Sequence, residues 1–345
     1  MSFVSGLPKA ELHVHHVGSA SPRIVAELAA RHEGRSPVPA DPDLLADFFI
    51  FTDFGHFVTV YLSVVDLVRT PEDLWTLTYE VARDLTAQNV RYAELTLTPY
   101  TSIVRGIPAE AYCESVEDAR QLAEAELGIT LRWCFDIPGE SGLPAADVTL
   151  DTALRLRPDG LVSFGLGGPE IGVPRQQFAA HFRQAVAAGL HSVPHAGEST
   201  GPETVWDAVR HLGAERIGHG ISAARDPALM EHLATHGISL EVCPTSNVRT
   251  RSVPSMVEHP LPTLVRAGVP VTVNSDDPPM FGTTLNHEYE VAAGLLGLDD
   301  HGVADLARAA VRASFLDLSG KTALLAEIDD YARTAGSHGD GATRS

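Results

Sequence analysis

Eight short apolar or β-branched runs, separated by longer amphipathic stretches, constrain this chain more than any other feature. The runs fall at residues 11–15, 90–97, 130–136, 161–166, 191–195, 215–218, 238–242 and 270–274, each of a length suited to a buried strand. Between them the spacing predicts helices over 71–86, 108–127, 175–188, 204–211, 227–235 and 261–267. Gly128, Gly160, Gly189, Gly237 and Gly268 stand where helices would end, the place at which a left-handed cap favours glycine. Strand alternating with helix predicts a parallel sheet, and eight repeats of the unit predict closure into an α/β fold, the (β/α)8 TIM barrel. Residues 33–62 interrupt the alternation with a Pro-rich piece and then Phe48, Phe49, Phe51, Phe54 and Phe57. This reads as a helical insertion after the first strand, either a lid or pocket wall over the barrel mouth or the packed core of a helical hairpin. Extra helices are expected over 286–335, with residues 1–335 forming one domain and the polar, Gly-rich residues 336–345 a fraying tail.

Charge narrows the partners. With 45 Asp and Glu against 25 Lys and Arg, a net charge of −20 opposes the clustered cations that nucleic acid requires. Cys113, Cys134 and Cys243 are odd in number and lack ligand-like spacing, which points away from a disulfide framework and toward a reducing compartment. No segment supplies the roughly 18 uninterrupted apolar residues of a membrane span, and Met1 to Gly6 has no leader-like pattern. A cytoplasmic protein with no membrane partner is expected, and assembly into a homo-oligomer stays open.

Residues at the carboxyl ends of barrel strands converge on one face. His13 and His15 close the first run, two apart and so on one side of it. His195 closes the fifth run, His219 the sixth, and Asp276 follows the eighth. Any one of 16 histidines is ordinarily a surface or satisfied core residue; joint placement at strand ends sets these apart. His13, His15, His195 and Asp276 make a donor set suited to one Zn2+ per chain. A second metal would need a ligand at the end of the fourth run, which reads Phe164-Gly165-Leu166-Gly167-Gly168 and has none. Such an ion lowers the pKa of bound water toward neutrality and so supplies a hydroxide nucleophile. His219 then has the type and position of a base, with a fifth ligand as the competing reading. Glu198, three residues past His195, can protonate a ring nitrogen if burial raises its pKa, or serve as partner to a ligand His. Asp277 can accept a hydrogen bond from substrate or direct the nucleophile, and Gly167 and Gly168 let a backbone amide approach a planar ring.

Five motifs in order, Leu7-Pro8-Lys9-Ala10-Glu11-Leu12-His13-Val14-His15, His195-Ala196-Gly197-Glu198, Arg216-Ile217-Gly218-His219-Gly220, Glu241-Val242-Cys243-Pro244-Thr245-Ser246-Asn247 and Asn274-Ser275-Asp276-Asp277-Pro278, resemble the adenosine deaminase family of the amidohydrolase barrels. The resemblance covers nearly the whole chain. It implies His13, His15, His195 and Asp276 as zinc ligands and Glu198, His219 and Asp276 as the catalytic group. It also implies substrate contacts by His15, Val17, Asp277 and Gly168, the last two at purine N7 and N3. The implied reaction is hydrolysis at C6 of an aminopurine with loss of ammonia. Family members acting on adenosine carry an Asp two residues after the second metal His, where it holds the ribose 5′-hydroxyl; here Val17 occupies that place. Losing a charged hydrogen-bond partner costs about 1.5–3 kcal/mol, so adenosine is expected to be a poor substrate. The loop Leu166-Gly167-Gly168-Pro169-Glu170 also departs from the usual acidic version. His13-Val14-His15-His16-Val17-Gly18-Ser19 is similar to a branch that deaminates 6-aminodeoxyfutalosine, an intermediate of the futalosine route to menaquinone. Its 5′ carbon bears a ketone chain ending in a carboxyphenyl ring, which Val17 and the Phe cluster could accommodate and whose carboxylate an Arg could meet, with no particular Arg singled out.

Overall fold

Each of the eight runs is a strand, and their buried residues face both the barrel interior and the surrounding helices. In the computed structural model, which describes residues 2–32, 34–52 and 54–336 (the side chains of 54 and 336 excepted), they are β1 (Lys9–His15), β2 (Val90–Leu97), β3 (Thr130–Pro138), β4 (Leu161–Gly167), β5 (His191–Ala196), β6 (Arg216–His219), β7 (Ser239–Val242) and β8 (Val271–Val273). They pair in parallel in sequence order, and nearly every strand residue is buried, as in a sheet covered on one face by helices and filled on the other by its own side chains. The chain is a (β/α)8 barrel.

The seam between β1 and β8 is closed largely by individual contacts. Leu12 N–H donates to Asn274 Oδ1 at 3.0 Å, Ser275 N–H to Glu11 at 2.8 Å, His15 N–H to the Asp276 carbonyl at 2.9 Å and Asp276 N–H to the His13 carbonyl at 3.1 Å. Asn274, Ser275 and Asp276 therefore fasten the barrel at the point where the histidines of β1 emerge.

The helices follow the sequence pattern. Pro71–Thr86 begins with a reciprocal cap between Thr70 and Asp73, which satisfies two otherwise orphaned amides. Gly128 and Gly237 cap their helices in the left-handed conformation. Gly160 does not; the segment before it ends on Arg157, a non-glycine residue at φ 38°. A π-helical turn over Thr152–Leu156 brings the helical stretch to its end three residues earlier than a glycine stop would, and Gly160 lies against Trp133, Arg120 and Glu117 instead.

The insertion contains helices Pro42–Phe48 and Phe54–Val65, and both expectations for its aromatic cluster hold, for different rings. Phe49 is buried in the core. Phe57 lines the cavity at the barrel mouth, with its ring 4.9 Å from Phe281 and 5.2 Å from Phe51. The Phe54 side chain lies outside the described residues, as do residues 337–345 of the expected tail; Gly336 ends the last helix.

Candidate metal and catalytic site

At the strand ends His13, His15 and His195 bring ring nitrogens together, and Asp276 meets His13 and His15 from the β8 side. His15 Nε2 lies 3.2 Å from His195 Nε2, and Asp276 Oδ1 lies 3.3 Å from His15 Nε2 and 3.7 Å from His13 Nε2. Donors held about 2.0–2.1 Å from a tetrahedral ion are about 3.3–3.4 Å apart, so this spacing fits a divalent cation. Hydrogen bonding agrees. The Glu241 carboxylate holds His13 Nδ1 at 2.9 Å, leaving the buried Nε2 with no hydrogen-bond partner, and a fixed outer nitrogen is what aims the inner lone pair. Glu241 is itself held by Arg216 at 2.6 Å, and Arg216 is paired with Glu94. Asp276 Oδ2 accepts from the Ser246 hydroxyl at 2.5 Å. Cys243 also lies within reach of His13, His219 and Asp276, a proximity its sequence spacing does not reveal, but burial pushes its thiol well above the ordinary range and away from the thiolate that binds metals.

His219 and Asp276 have φ angles of 59° and 67°, a left-handed conformation that costs a non-glycine residue about 1–3 kcal/mol and persists where surrounding contacts over-determine it. His219 Nε2 faces Glu198 Oε2 at 3.7 Å and Asp276 Oδ2 at 3.9 Å. Burial, then the Asp276 charge, raises the Glu198 carboxyl to about 8, so it carries a proton at neutral pH. Gly18 packs against Asp277 so closely that any Cβ there would overlap the carboxylate. Asp277 Oδ1 is buried without a partner, available to a ligand. Gly168 sits at φ 77°, facing Glu140 with no room for a side chain. His16, adjacent to a candidate ligand, lines the cavity and bonds Thr78 Oγ1 at 2.9 Å, which ties the end of β1 to the helix Pro71–Thr86.

The sequence reading missed Glu170. This buried carboxylate accepts from the amides of Gly197 (2.7 Å), Glu198 (2.7 Å) and Ser199 (2.9 Å) and from the Thr200 hydroxyl (2.5 Å). Burial acts to raise its pKa, yet the Thr200 hydroxyl, Arg175 and those amides together hold it below the usual carboxylate range. It thus fixes the backbone that presents Glu198. Glu170→Ala leaves three amides without their acceptor, at about 1–3 kcal/mol for each one that stays dry, while the Thr200 hydroxyl keeps Thr204 Oγ1 at 2.7 Å. Urea unfolding is expected to show a loss of at least about 2 kcal/mol, and a change within about 0.5 kcal/mol would contradict the bracing role.

The cavity above the cluster is lined by Glu198, Gly168 and Asp277 and by an apolar wall of Val17, Phe57, Val58, Leu62 and Leu74, here called its outer lobe, while the buried Tyr61 phenol faces the carboxylates of Asp277, Asp136, Asp276 and Glu140. Among the described residues no Arg or Lys lines the cavity, so the lining singles out no Arg for a substrate carboxylate. Thr98, Thr101, Ser102, Tyr61 and Tyr112 bring hydroxyls to its lining, and Asp136 and Glu140 bring carboxyls. Arg105, whose guanidinium reaches the Thr101 carbonyl, is paired with Asp66 outside the lining.

A barrel with a cation-sized donor cluster at its strand ends, next to an acid that keeps its proton, has the makings of a hydrolase that works with activated water. Residues 8–331 match the family model described as Adenosine deaminase, and the chain belongs to that family. It is a hydrolytic deaminase. It is 67% identical over 332 residues to an aminodeoxyfutalosine deaminase of Streptomyces avermitilis, an alignment covering 96% of this chain and 92% of the relative. Two solved structures share the fold. An adenine deaminase from Arthrobacter aurescens superposes with a TM-score of 0.89 at 30% identity, over 95% of this chain and 99% of that one. An amidohydrolase from Burkholderia ambifaria with bound Zn gives 0.88 at 26% identity, over 97% and 94%.

Proposed function

We propose that this chain is a zinc-dependent deaminase of 6-aminodeoxyfutalosine, converting it to futalosine and ammonia, and that it serves menaquinone biosynthesis in the cytoplasm. The observation that carries the substrate assignment is the outer lobe of the cavity. Val17 stands where an acid would hold a ribose 5′-hydroxyl, and with Phe57, Val58, Leu62 and Leu74 it forms an apolar wall that a carbon-bearing 5′ arm would cover. The Streptomyces relative's name supports the same reading. A free adenine would leave this lobe filled only with water, and adenosine would place a hydroxyl against Val17.

His13, His15, His195 and Asp276 would hold the zinc, consistent with the Zn-bound relative. When bound, the ion activates water for attack at C6 of the purine. The residues of the chain do the rest. Glu198, protonated at neutral pH, donates to a ring nitrogen and so draws electrons away from C6. Asp277 and the backbone at Gly168 hold the ring edges, and Glu170 keeps Glu198 in place.

The test is kcat/KM on 6-aminodeoxyfutalosine, adenosine, 5′-deoxy-5′-methylthioadenosine and adenine. The first is expected to exceed adenosine by at least about tenfold, from the lost hydrogen bond and the gained apolar contact. A preference for adenosine or adenine would sink the assignment and leave a purine-salvage deaminase in its place.

A further inference from the structure

We infer that His259 and Asn247 are positioning residues that fix the tautomer of His219, so that His219 presents an N–H to the reacting centre instead of a lone pair. The inference deepens the deaminase reading of the site and gives its histidine a different role from that of a base. It follows from the direction of three successive hydrogen bonds.

Leu261 N–H donates to His259 Nδ1 at 3.2 Å. A backbone amide can only donate, so Nδ1 is an acceptor and the ring proton of His259 must sit on Nε2. His259 Nε2 lies 3.3 Å from Asn247 Oδ1 and therefore donates to it. That contact settles which end of the Asn247 side chain is oxygen, leaving its amide nitrogen on His219 Nδ1 at 3.2 Å. The amide nitrogen also can only donate. His219 Nδ1 is consequently an acceptor, and the single proton of the ring is on Nε2, the nitrogen facing Glu198 and Asp276. All three side chains are almost wholly buried, so water does not compete for these bonds. Asn247 is anchored on both sides, its own N–H donating to the Cys243 carbonyl and its carbonyl accepting from Val253 N–H at 2.8 Å.

A nitrogen that carries a proton neither removes one from water nor ligates a cation. His219 instead donates a hydrogen bond to the oxygen that becomes attached to C6. The chain of three side chains runs from the end of β6 through the short helix Pro244–Arg249 to the turn before the helix Leu261–Arg266, and none of it beyond His219 lines the cavity.

The test is the two-bond 1H–15N spectrum of the metal-loaded, 15N-histidine-labelled full chain, which reads the protonated nitrogen of each imidazole directly, together with kcat and KM. Wild type is expected to show His219 as the Nε2–H form. Asn247→Asp replaces the donor by an acceptor and is expected to move the proton to Nδ1 and lower kcat by roughly 10²–10³-fold, the usual loss of one positioned donor, with KM changed less than about threefold and metal content intact. His259→Phe, which removes only the remote end, is expected to give a mixed His219 signal and a smaller fall in kcat, and His259→Gln, which keeps a donor, to recover part of it. A wild-type spectrum with the proton on Nδ1 overturns the inference, as does an Asn247→Asp enzyme with kcat within about threefold of wild type. The spectrum does not depend on substrate, so failure of the substrate assignment would leave it standing.

Discussion

Glu198→Gln is expected to lower deamination by about 10²–10⁴-fold, the range for removing a positioned general acid, while metal content and fold are preserved. The argument rests on the proton. Burial and the Asp276 charge raise the Glu198 carboxyl to about 8, so at pH 7 it is a hydrogen-bond donor. Gln keeps the shape and a donor, but gives up no proton. Rates with the wild type should fall as pH rises through about 8, and the residual rate of the variant should lack that alkaline limb. The same group bears on stability with a determinate sign. A carboxyl raised in the folded state binds more protons there than in the unfolded chain between about 4.5 and 8, so its contribution to stability declines as pH rises across that window. Gln removes that decline, and the variant should melt higher than wild type at pH 8.5 while being nearly inert. Near-normal turnover would remove Glu198 from the proton-donor role.

Glu198 is held by partners that the sequence leaves hardest to read. The strands could be read because each is a local apolar run, and the donor cluster because barrel topology sends every strand end to one face. His13, His15, His195, His219, Asp276 and Asp277 followed from position alone. What escaped is the set of residues that act across the sequence. Glu170 serves amides 27–29 residues onward, Glu241 holds His13 across 228 residues, and His259 reaches His219 only through Asn247. No periodicity marks such partners. One signal existed: Glu241 and Glu94 are carboxylates in the interior of buried strands, where each requires a cationic or hydrogen-bonding partner, which Arg216 supplies to both. Gly160 misled for the opposite reason, since a glycine before a strand looks the same whether it ends a helix or makes room for Trp133.

Removing the metal is expected to reduce turnover by at least about 10²-fold and to lower the unfolding midpoint, with both restored by one equivalent of zinc per chain. The geometry of the cluster argues for the stability effect. Two imidazole nitrogens 3.2 Å apart, beside a carboxylate and an unpartnered His13 Nε2, make a dry site that favours positive charge; without an ion, protons on His13 and His15 must supply it beside Asp276, and they do so without joining the four side chains as a shared cation would. Free zinc at about 100 times its Kd stabilises a fold that binds it by about 2.7 kcal/mol, which thermal unfolding with and without chelator would read. The stoichiometry is equally constrained. β4 ends in Gly167 with no side chain to hold a second ion, and Asp136, the carboxylate at the end of β3, joins none of the donor clusters among the described residues. Two tightly held zinc ions per chain would contradict the mononuclear reading, and full turnover in the stripped protein would contradict the role of the cluster altogether.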